Sequence, residues 1–564
     1  MAASENWAYE TDVVVVGSGA GALTAAVRAR DLGLEVLVIE KTGQYGGSSA
    51  MSGGVLWLPN SPLVAGAGGS DSAEEGKRYM KSVIREPSQE TRIGAFVDTI
   101  APFIDWLHAR THVRLVPLVG FPDMYPDNPD AKMYRCHEPA PFHGKLLGEE
   151  LMRLRPQHPQ TALFGLIGWT ASESLILQAR GKGWLWVAFS MVARYLLDLP
   201  WRLTHLRDRR QVLGGTLVGN LRRGMIERGM PLWLDTGVEE LVVEDGRVTG
   251  VVAQRAGRRV RIAARKGVIV AAGGFEKNNA MRRKHLPQPS DAAWTAGAPG
   301  NTGEMIEAGE RIGAATRFMD AAWWGPTFLI PGEEQARMLI IEKNLPGSII
   351  VNRAGERFVN ESSSYTKVTR GIYSANVPGR ESVPAALVFD SSYRRHYPFG
   401  PMLPSTFQPD FAVPPGAWRG IAKADTIEGL ARQLDIDPAG LAATVRKFNG
   451  YAASGKDADF QRGDANYDRY YGDQSVGPNP CLGPIAKPPF YGTKVYPGEL
   501  GTKGGLDTDE HARVLDGQGR VIAGLYAIGN CSAAVTGQTY PASGSTLAPA
   551  MVFAFRAADD ATRQ

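Results

Sequence analysis

The chain has 564 residues, of which 43% are hydrophobic and 21% are charged, and its formal net charge is +4. A single hydrophobic core stops growing at about 250–300 residues, so more than one domain is expected. The mild charge does not indicate nucleic-acid binding, and the three cysteines and nine histidines show no metal-ligand spacing, so we expect neither nucleic acid nor metal as a partner.

The first ten residues carry neither the basic nor the apolar segment of a secretory signal, and no apolar run in the chain is long enough to span a bilayer, which predicts a cytoplasmic protein.

The N-terminal part of the sequence reads as a nucleotide-binding unit. A buried strand is predicted at residues 12–16, a helix at 23–32 and a second strand at 35–39. The turn at residues 17–22 has the pattern G-x-G-x-x-A of dinucleotide-binding folds.

Each residue of this unit has a physical role. Gly17 permits a tight turn, Gly19 lets the backbone approach a pyrophosphate, and Ala22 lets the helix pack closely on the strand. Free N–H groups and the positive end of the helix dipole then bind phosphate. Glu40 ends the second strand, where a carboxylate accepts from ribose hydroxyls and disfavours NADP. The cofactor contacts predicted in the turn are Gly17, Gly19, Ala20, Gly21 and Ala22.

A second loop rich in glycine and serine follows soon after the ribose-binding acid. Its small side chains and exposed amides suit FAD, a ligand long enough to lie across the domain. The contacts predicted here are Lys41, Gly46, Gly47, Ser48, Ser49, Ser52, Gly53 and Gly54. This loop resembles that of the fumarate reductase/succinate dehydrogenase flavoprotein superfamily. Some relatives attach the flavin to a histidine, but no histidine precedes Gly46, so the resemblance implies non-covalent FAD.

Later segments extend this resemblance. Residues 238–252 read as two strands around a turn, residues 267–270 as a strand leading into A-A-G-G-F, and residues 524–530 as the last strand of the FAD domain. Residues 544–551 open a final helix, whose N-terminus can stabilise negative charge on the reduced flavin. The further FAD contacts that the resemblance implies are Val238, Ala272, Gly273, Gly274, Gly529, Asn530, Ser545 and Leu547.

The sequence therefore predicts an α/β protein with a discontinuous Rossmann-type FAD-binding domain and an inserted α+β substrate-capping domain. The FAD domain is expected at residues 1–320 and 501–564. Residues 321–500, where prolines and aromatic residues are frequent, are expected to form the capping domain. The substrate should lie between the two, where ligand pockets tend to occur.

Three segments at the expected interface each contain a tyrosine. Residues 120–126, 358–365 and 537–544, together with 497–505, are similar to the 3-ketosteroid Δ1-dehydrogenase family. The family's active-site positions match Tyr125, Tyr365, Tyr540 and Gly544 in this sequence. The family often reads Y-A-G-P-G at the last segment, whereas residues 540–544 read Y-P-A-S-G.

The resemblance implies FAD-dependent removal of hydrogens from C1 and C2 of a 3-ketosteroid, in steroid degradation. The Tyr540 hydroxyl and the Gly544 N–H would stabilise an enolate at the C3 oxygen. Tyr365 would take the C2 proton, helped by a hydrogen bond from Tyr125, and the C1 hydride would pass to flavin N5. No NAD site is evident, so a quinone-like compound or a dye is the expected electron acceptor.

An insertion is expected at about residues 160–212. Residues 184–193 are apolar and rich in tryptophan but too short to span a bilayer, and clustered arginines follow up to residue 210. Such a segment suits a helix that lies in a membrane surface, with residues 164–169 adding to the patch and arginine meeting lipid phosphate. This predicts a peripheral protein on the inner face of the cell membrane. The alternative is a core helix or a contact with another subunit.

Three other functions remain open at this point. A Δ4-dehydrogenase of 3-keto-5α-steroids uses related tyrosines around a shifted bond. A fumarate-type reductase has the same fold, and a membrane-attached flavin electron carrier needs no organic substrate. The steroid side chain and the oligomeric state also stay open.

Overall fold

The computed structural model describes residues 7–564, so part of the N-terminal segment on which the absence of a secretory signal was predicted lies outside the described residues. The strands are β1 Tyr9–Val16, β2 Val36–Ile39, β3 Leu56–Trp57, β4 Leu115–Pro117, β5 Cys136–Pro139, β6 Phe142–His143, β7 Ala162–Leu163, β8 Ile167–Gly168, β9 Arg210–Gln211, β10 Leu232–Trp233, β11 Thr236–Glu244, β12 Arg247–Arg255, β13 Arg258–Val270, β14 Thr316–Arg317, β15 Ala322–Phe328, β16 Arg337–Met338, β17 Ser348–Val351, β18 Ala385–Asp390, β19 Ala422–Ala424, β20 Phe490–Thr502, β21 Gly505–Leu506, β22 Arg513–Leu515 and β23 Val521–Ala527.

Helices cover both large sheets, and short 3₁₀ turns join many of the elements. The α-helices are α1 Ala20–Asp31, α2 Gly47–Met51, α3 Ala73–Ile84, α4 Glu90–Arg110, α5 Glu150–Arg153, α6 Ala171–Gln178, α7 Trp184–Leu197, α8 Leu199–Arg202, α9 Leu213–Glu227, α10 Asn279–His285, α11 Glu304–Arg311, α12 Tyr365–Ser374, α13 Ser391–His396, α14 Ile427–Leu434, α15 Pro438–Ser454, α16 Asn466–Tyr470 and α17 Leu547–Ala561.

The largest sheet has eight strands and combines both ends of the chain. Its order is β10-β2-β1-β13-β12-β23-β22, with β11 paired to β12. Strand β1 runs parallel to β2 and to β13, and β13 runs parallel to β23. The valines at 13–16 are buried because helices such as α1 and α17 cover the sheet, which explains their continuous apolar run. The predicted Rossmann-type order of strand, turn, helix and strand is present.

A second sheet of six strands lies within residues 322–502. Its order is β16-β15-β20-β18-β17, with β19 also on β20, and all these pairs are antiparallel. Helices α14 and α15 cover one face and share a separate hydrophobic core with β17 and β18. The chain returns from β20 at Thr502 toward the larger sheet. This arrangement agrees with the expected capping domain, whose boundaries stay a prediction.

The expected insertion forms a small helical unit on the surface. Thr170 and Glu173 form a capping box that starts α6, because each side chain accepts from the backbone of the other. Helix α7 follows, and five of its apolar side chains are exposed, including Trp186 at 69%. Across residues 7–564, none of the helices combines the length and the apolar content needed to cross a membrane.

Candidate active site

A continuous cavity of about 590 Å³ runs from the glycine-rich turn after β1 to the start of α12. It therefore lies between the large sheet and the second sheet, where the substrate is expected. The sequence-predicted residues that line it are Gly17, Gly19, Gly21, Ala22, Glu40, Lys41, Gly47, Ser48, Ser49, Ser52, Gly53, Gly54, Val238, Ala272, Gly273, Gly529, Asn530 and Leu547, with Tyr365, Tyr540 and Gly544 at the other end.

The first turn is shaped so that only glycine fits at its start. Gly17 has φ +107°, and a Cβ there would lie 2.4 Å from the carbonyl oxygen of Ala271. At Gly19 a Cβ would approach the Ser49 hydroxyl to 3.1 Å. The two glycines thus keep the backbone close to β13 and to the second loop. This close approach is the geometry that a bound pyrophosphate requires.

Glu40 presents its carboxylate to the cavity at the carboxyl end of β2. The Ser18 hydroxyl donates to one oxygen at 2.5 Å, and the Thr42 N–H donates to the other at 2.9 Å. Lys41 beside it forms an ion pair with Glu304 at 2.5 Å. The carboxylate is therefore held in place with acceptor capacity left for ribose hydroxyls.

Two of the three serines of the second loop, Ser48 and Ser49, are held by distant parts of the chain. The Ala20 N–H at the start of α1 donates to the Ser49 hydroxyl at 3.0 Å. The Asn301 amide donates to the Ser48 hydroxyl at 2.9 Å and to Glu276 at 2.5 Å. Burial raises the pKa of Glu276 to about 7. Asn301 lines the cavity, and local sequence patterns gave no signal for it because its partners are far away in the chain.

Four predicted FAD contacts lie behind the cavity wall: Ala20, Gly46, Gly274 and Ser545. They shape the wall instead of facing the cavity. The Gly46 N–H donates to the Ser18 hydroxyl, a Cβ on Gly274 would lie 2.1 Å from the Thr502 hydroxyl, and the Ser545 hydroxyl donates to the Ala542 carbonyl. Their contact with FAD stays a prediction.

Non-covalent attachment of FAD also stays a prediction. The residue directly before Gly46 is Tyr45 and not a histidine, and its buried hydroxyl donates to the Glu150 carbonyl at 3.0 Å.

Two tyrosines meet at the end of the cavity near the capping sheet. Tyr365 is the first residue of α12, and Tyr540 lies in the loop before α17. Their ring centroids are 5.4 Å apart in an edge-on arrangement, and each residue is only 4% exposed. Burial raises the pKa of both phenols, and the neighbouring Tyr540 and Tyr467 phenols raise that of Tyr365 further.

Gly544 completes this end of the cavity. Its φ is +93°, and a Cβ there would lie 2.6 Å from the Val55 carbonyl oxygen, so the position needs glycine. The Gly544 backbone is among the groups that offset the burial-raised pKa of Tyr540, so it lies beside the Tyr540 hydroxyl, whose hydrogen-bond partner is Thr546 Oγ1 at 3.2 Å. Two donors, one hydroxyl and one amide, thus converge on a single region of the cavity.

Tyr125 does not reach the cavity wall. It lies half-buried beside the backbone of Tyr540, with the Lys367 ammonium 5.7 Å from its ring centre. The Met124 N–H donates to the Pro541 carbonyl at 2.9 Å, which holds this segment behind the loop. Within the described residues the hydroxyl partner of Tyr365 is Ser543, at 3.2 Å, and not Tyr125 as expected. Any catalytic role of Tyr125 stays a prediction.

The capping domain adds tyrosines that sequence analysis missed. Tyr470 and Tyr471 line the cavity, and Tyr467 acts on the pKa of Tyr365. Three tyrosines within five residues were a visible signal, but no known motif marked the segment. The rest of this end is mainly apolar, with Phe121, Trp169, Leu175, Met338 and Ile340 in the wall. Trp169 therefore faces the cavity instead of adding to the expected surface patch.

The described part of the chain has no candidate metal site. Among residues 7–564, no group of three or more histidine, cysteine, aspartate or glutamate side chains could hold a metal ion.

Comparison with known proteins places this site in a family. Residues 12–547 match the model of the FAD binding domain family. Together with the Rossmann-type sheet and its cavity, this makes the chain an FAD-dependent flavoprotein, and the FAD prediction is confirmed. The chain is 39% identical to a 3-oxosteroid 1-dehydrogenase of Mycobacterium tuberculosis over 97% of this chain and 98% of that protein. It is 36% identical to the 3-oxosteroid 1-dehydrogenase of Comamonas testosteroni, over 98% and 96%.

A solved structure agrees with these relatives. The 3-ketosteroid Δ1-dehydrogenase from Sterolibacterium denitrificans, in complex with 1,4-androstadiene-3,17-dione, superposes with a TM-score of 0.95 at 44% identity, and covers 98% of this chain and 100% of that one. The chain belongs to the 3-oxosteroid 1-dehydrogenase family of flavoproteins. The resemblance seen in the sequence and the fold class are therefore confirmed.

Proposed function

We propose that this protein is a 3-oxosteroid 1-dehydrogenase that converts 4-ene-3-ketosteroids to 1,4-diene-3-ketosteroids with FAD, in steroid degradation. The observation that carries the proposal is the convergence of Tyr365, Tyr540 and Gly544 at the apolar end of the cavity. The other end has the glycine turn and the Glu40 carboxylate that suit the ADP half of FAD. One cavity thus accommodates both cofactor and steroid.

The two donors at Tyr540 and Gly544 would bind the C3 ketone oxygen. Their hydrogen bonds strengthen as negative charge develops on that oxygen, which makes the neighbouring C2 proton more acidic. A steroid bound against the apolar wall would displace water, so these hydrogen bonds would act in a medium of lower dielectric constant. This pair is therefore the electrostatic part of the proposed mechanism.

Tyr365 would take the C2 proton. As the C2–H bond breaks, its electron pair forms the enolate that Tyr540 and Gly544 stabilise, and Tyr365 becomes the neutral phenol. FAD, when bound, supplies the acceptor for the hydride that leaves C1. Loss of both hydrogens creates the C1–C2 double bond. A quinone-like compound or a dye would then receive the electrons.

Product analysis distinguishes this function from its alternatives. We would mix the purified enzyme anaerobically with a 4-ene-3-ketosteroid and follow flavin absorbance. Rapid bleaching with a 1,4-diene product is the expected result. Bleaching only with a 5α-saturated steroid would make the enzyme a Δ4-dehydrogenase, and turnover of fumarate would make it a reductase. Bleaching by none of these substrates would leave an electron carrier.

The insertion provides a surface that suits a membrane. Leu203 is 87% exposed, and Phe411 of the capping domain, at 92%, extends the apolar character beyond the insertion. Trp184 contacts Phe407, with ring centres 5.7 Å apart, so both segments form one face. We propose that this face enters the bilayer interface, where steroids also concentrate. The exposed apolar side chains are Phe164, Leu166, Leu185, Trp186, Phe189, Leu196, Leu197, Leu199, Leu203 and Leu206, with Phe407 and Phe411.

The arginines contribute less to this proposal than expected. Arg210 forms two hydrogen bonds with Glu173, Arg209 pairs with Asp198, and Arg207 donates to the Leu154 carbonyl. These contacts hold the insertion together and occupy much of the donor capacity that lipid phosphate would need. The apolar side chains therefore carry the membrane proposal.

Vesicle binding tests this surface. The double change Trp186→Ser and Leu203→Ser should reduce sedimentation with anionic lipid vesicles at least about tenfold, because burying one large apolar side chain contributes about 1.5–3 kcal/mol. Val521→Ser, on a partly exposed valine of β23, is the control and should bind as the wild type does. Unchanged sedimentation of the double variant would exclude this face as the anchor. Loss of self-association instead would identify a subunit contact.

A further inference from the structure

The loop from Tyr540 to Gly544 carries a hydroxyl where related loops often have proline. Its fourth residue is Ser543, whose Oγ lies 3.2 Å from the hydroxyl oxygen of Tyr365. Ser543 also lines the cavity. We propose that Ser543 is the hydrogen-bond partner that stabilises the ionised form of Tyr365, the role that sequence analysis gave to Tyr125. It is a positioning residue that acts through the base, and this inference rests on the proposed function.

The backbone fixes Ser543 on both sides. Its carbonyl accepts from the Cys136 thiol at 3.3 Å. The next turn is closed by Ser545, whose hydroxyl donates to the Ala542 carbonyl at 2.8 Å and accepts from the Ala542 N–H at 3.2 Å. The Ser543 hydroxyl can therefore rotate to donate to Tyr365 without any movement of the chain.

The surroundings of Tyr365 make such a donor necessary. The ionisable groups that face its phenol are Tyr540, from the same loop as Ser543, and Tyr467, from α16. Both raise the pKa of Tyr365, as burial does, whereas the hydrogen bond with Ser543 lowers it. A hydroxyl that donates to a phenolate forms a charge-assisted hydrogen bond, which is stronger than one between neutral groups. Ser543 thus offsets part of the cost of ionising a buried base.

The serine hydroxyl is also tied to the tyrosines of the capping domain. Ser543 is among the groups that set the pKa of Tyr471, and Tyr471 is among those that set the pKa of Tyr467, so the three side chains lie close together. The four hydroxyls of Tyr365, Ser543, Tyr471 and Tyr467 therefore form one polar edge. Ser543 is the member of this edge that meets the base.

Substitution of the hydroxyl tests the inference in the holoenzyme. Ser543→Ala should lower kcat for a 4-ene-3-ketosteroid about ten- to hundredfold, the effect of losing one hydrogen bond to a charged group. The alkaline rise of kcat/KM should move to higher pH by about 1–2 units, because the ionised form loses a stronger, charge-assisted hydrogen bond than the neutral phenol does. Ser543→Thr, which keeps the hydroxyl, should restore both.

Ser382→Ala is the matched control. The buried Ser382 hydroxyl donates to the Ile372 carbonyl at the other end of α12, away from Tyr365. Its loss should leave the pH dependence unchanged and alter kcat less than about twofold, since a neutral hydrogen bond contributes mainly to stability. A pH shift of equal size in this control would mean that Ser543 acts only by loosening the helix.

Proton exchange gives a second readout. In deuterated buffer, with the FAD reduced beforehand so that no oxidation occurs, Tyr365 should exchange the C2 hydrogen of the bound 4-ene-3-ketosteroid, as seen by mass spectrometry. Ser543→Ala should slow this exchange by the same factor by which it lowers kcat. If the alanine variant does not fold, Ser543→Gly is used in its place. If the wild type oxidises the steroid, and both variants keep its rate of exchange and its pH profile, the inference is wrong and the proposed function still stands. Failure of the wild type to oxidise any ketosteroid would overturn the proposed function as well.

Discussion

Tyr365→Phe should lower kcat for a 4-ene-3-ketosteroid by about 10²–10⁴-fold, the usual contribution of a positioned general base. The ring that packs edge-on against Tyr540 remains, so the cavity and KM should change little. Stopped-flow measurement of flavin bleaching under anaerobic conditions provides the rate. A variant that bleaches as fast as the wild type would exclude Tyr365 as the base.

The control for this change lies on the same helix. Tyr373, two turns along α12, donates its hydroxyl to the Pro289 carbonyl at 3.3 Å and does not line the cavity. Tyr373→Phe removes the same atom, and its rate of bleaching should stay within about twofold of the wild type, because only a weak neutral hydrogen bond is lost.

The pH dependence of kcat/KM also follows from Tyr365. Burial, together with the Tyr540 and Tyr467 phenols, raises the pKa of Tyr365 above the ordinary value for tyrosine. Because the base must be ionised to accept the C2 proton, kcat/KM should rise with pH throughout the range below this pKa. In Tyr365→Phe this rise should be absent, which a pH profile of the residual activity would check.

Gly17→Ala should abolish most FAD binding. The new Cβ would lie 2.4 Å from the Ala271 carbonyl oxygen at the end of β13, on a backbone with φ +107°. Overpacking costs about 1–3 kcal/mol and the left-handed conformation about 1–2 kcal/mol more, so the turn must shift away from the pyrophosphate position. The ratio of flavin to protein absorbance in the purified variant measures the loss.

Gly33→Ala separates the two causes. Gly33 follows α1 with φ +90°, and a Cβ there would meet no atom within 4 Å. This variant carries a similar conformational cost without the clash, so it should keep its FAD and lose only about 1–2 kcal/mol of stability. Equal loss of FAD from both variants would show that the clash with Ala271 is not what limits binding.

The nucleotide end of this protein was largely determined by its sequence. The glycine turn, α1, β2 and Glu40 follow one another within a short stretch, so local backbone preferences and a contiguous motif specify them together. The return of β23 to the large sheet was also readable, because its resemblance was to a strand and not to a single side chain. Patterns of this kind need no knowledge of how distant segments pack.

The catalytic end depended on the tertiary structure. Tyr365 and Ser543 lie 178 residues apart in sequence, and their contact exists only because α12 and the loop before α17 pack against each other. The same packing holds Tyr125 behind the loop and brings Tyr471 to the cavity. A sequence motif can indicate which tyrosines belong near an active site. Which hydroxyl faces the base is decided by the direction of each side chain, and long-range packing sets that direction.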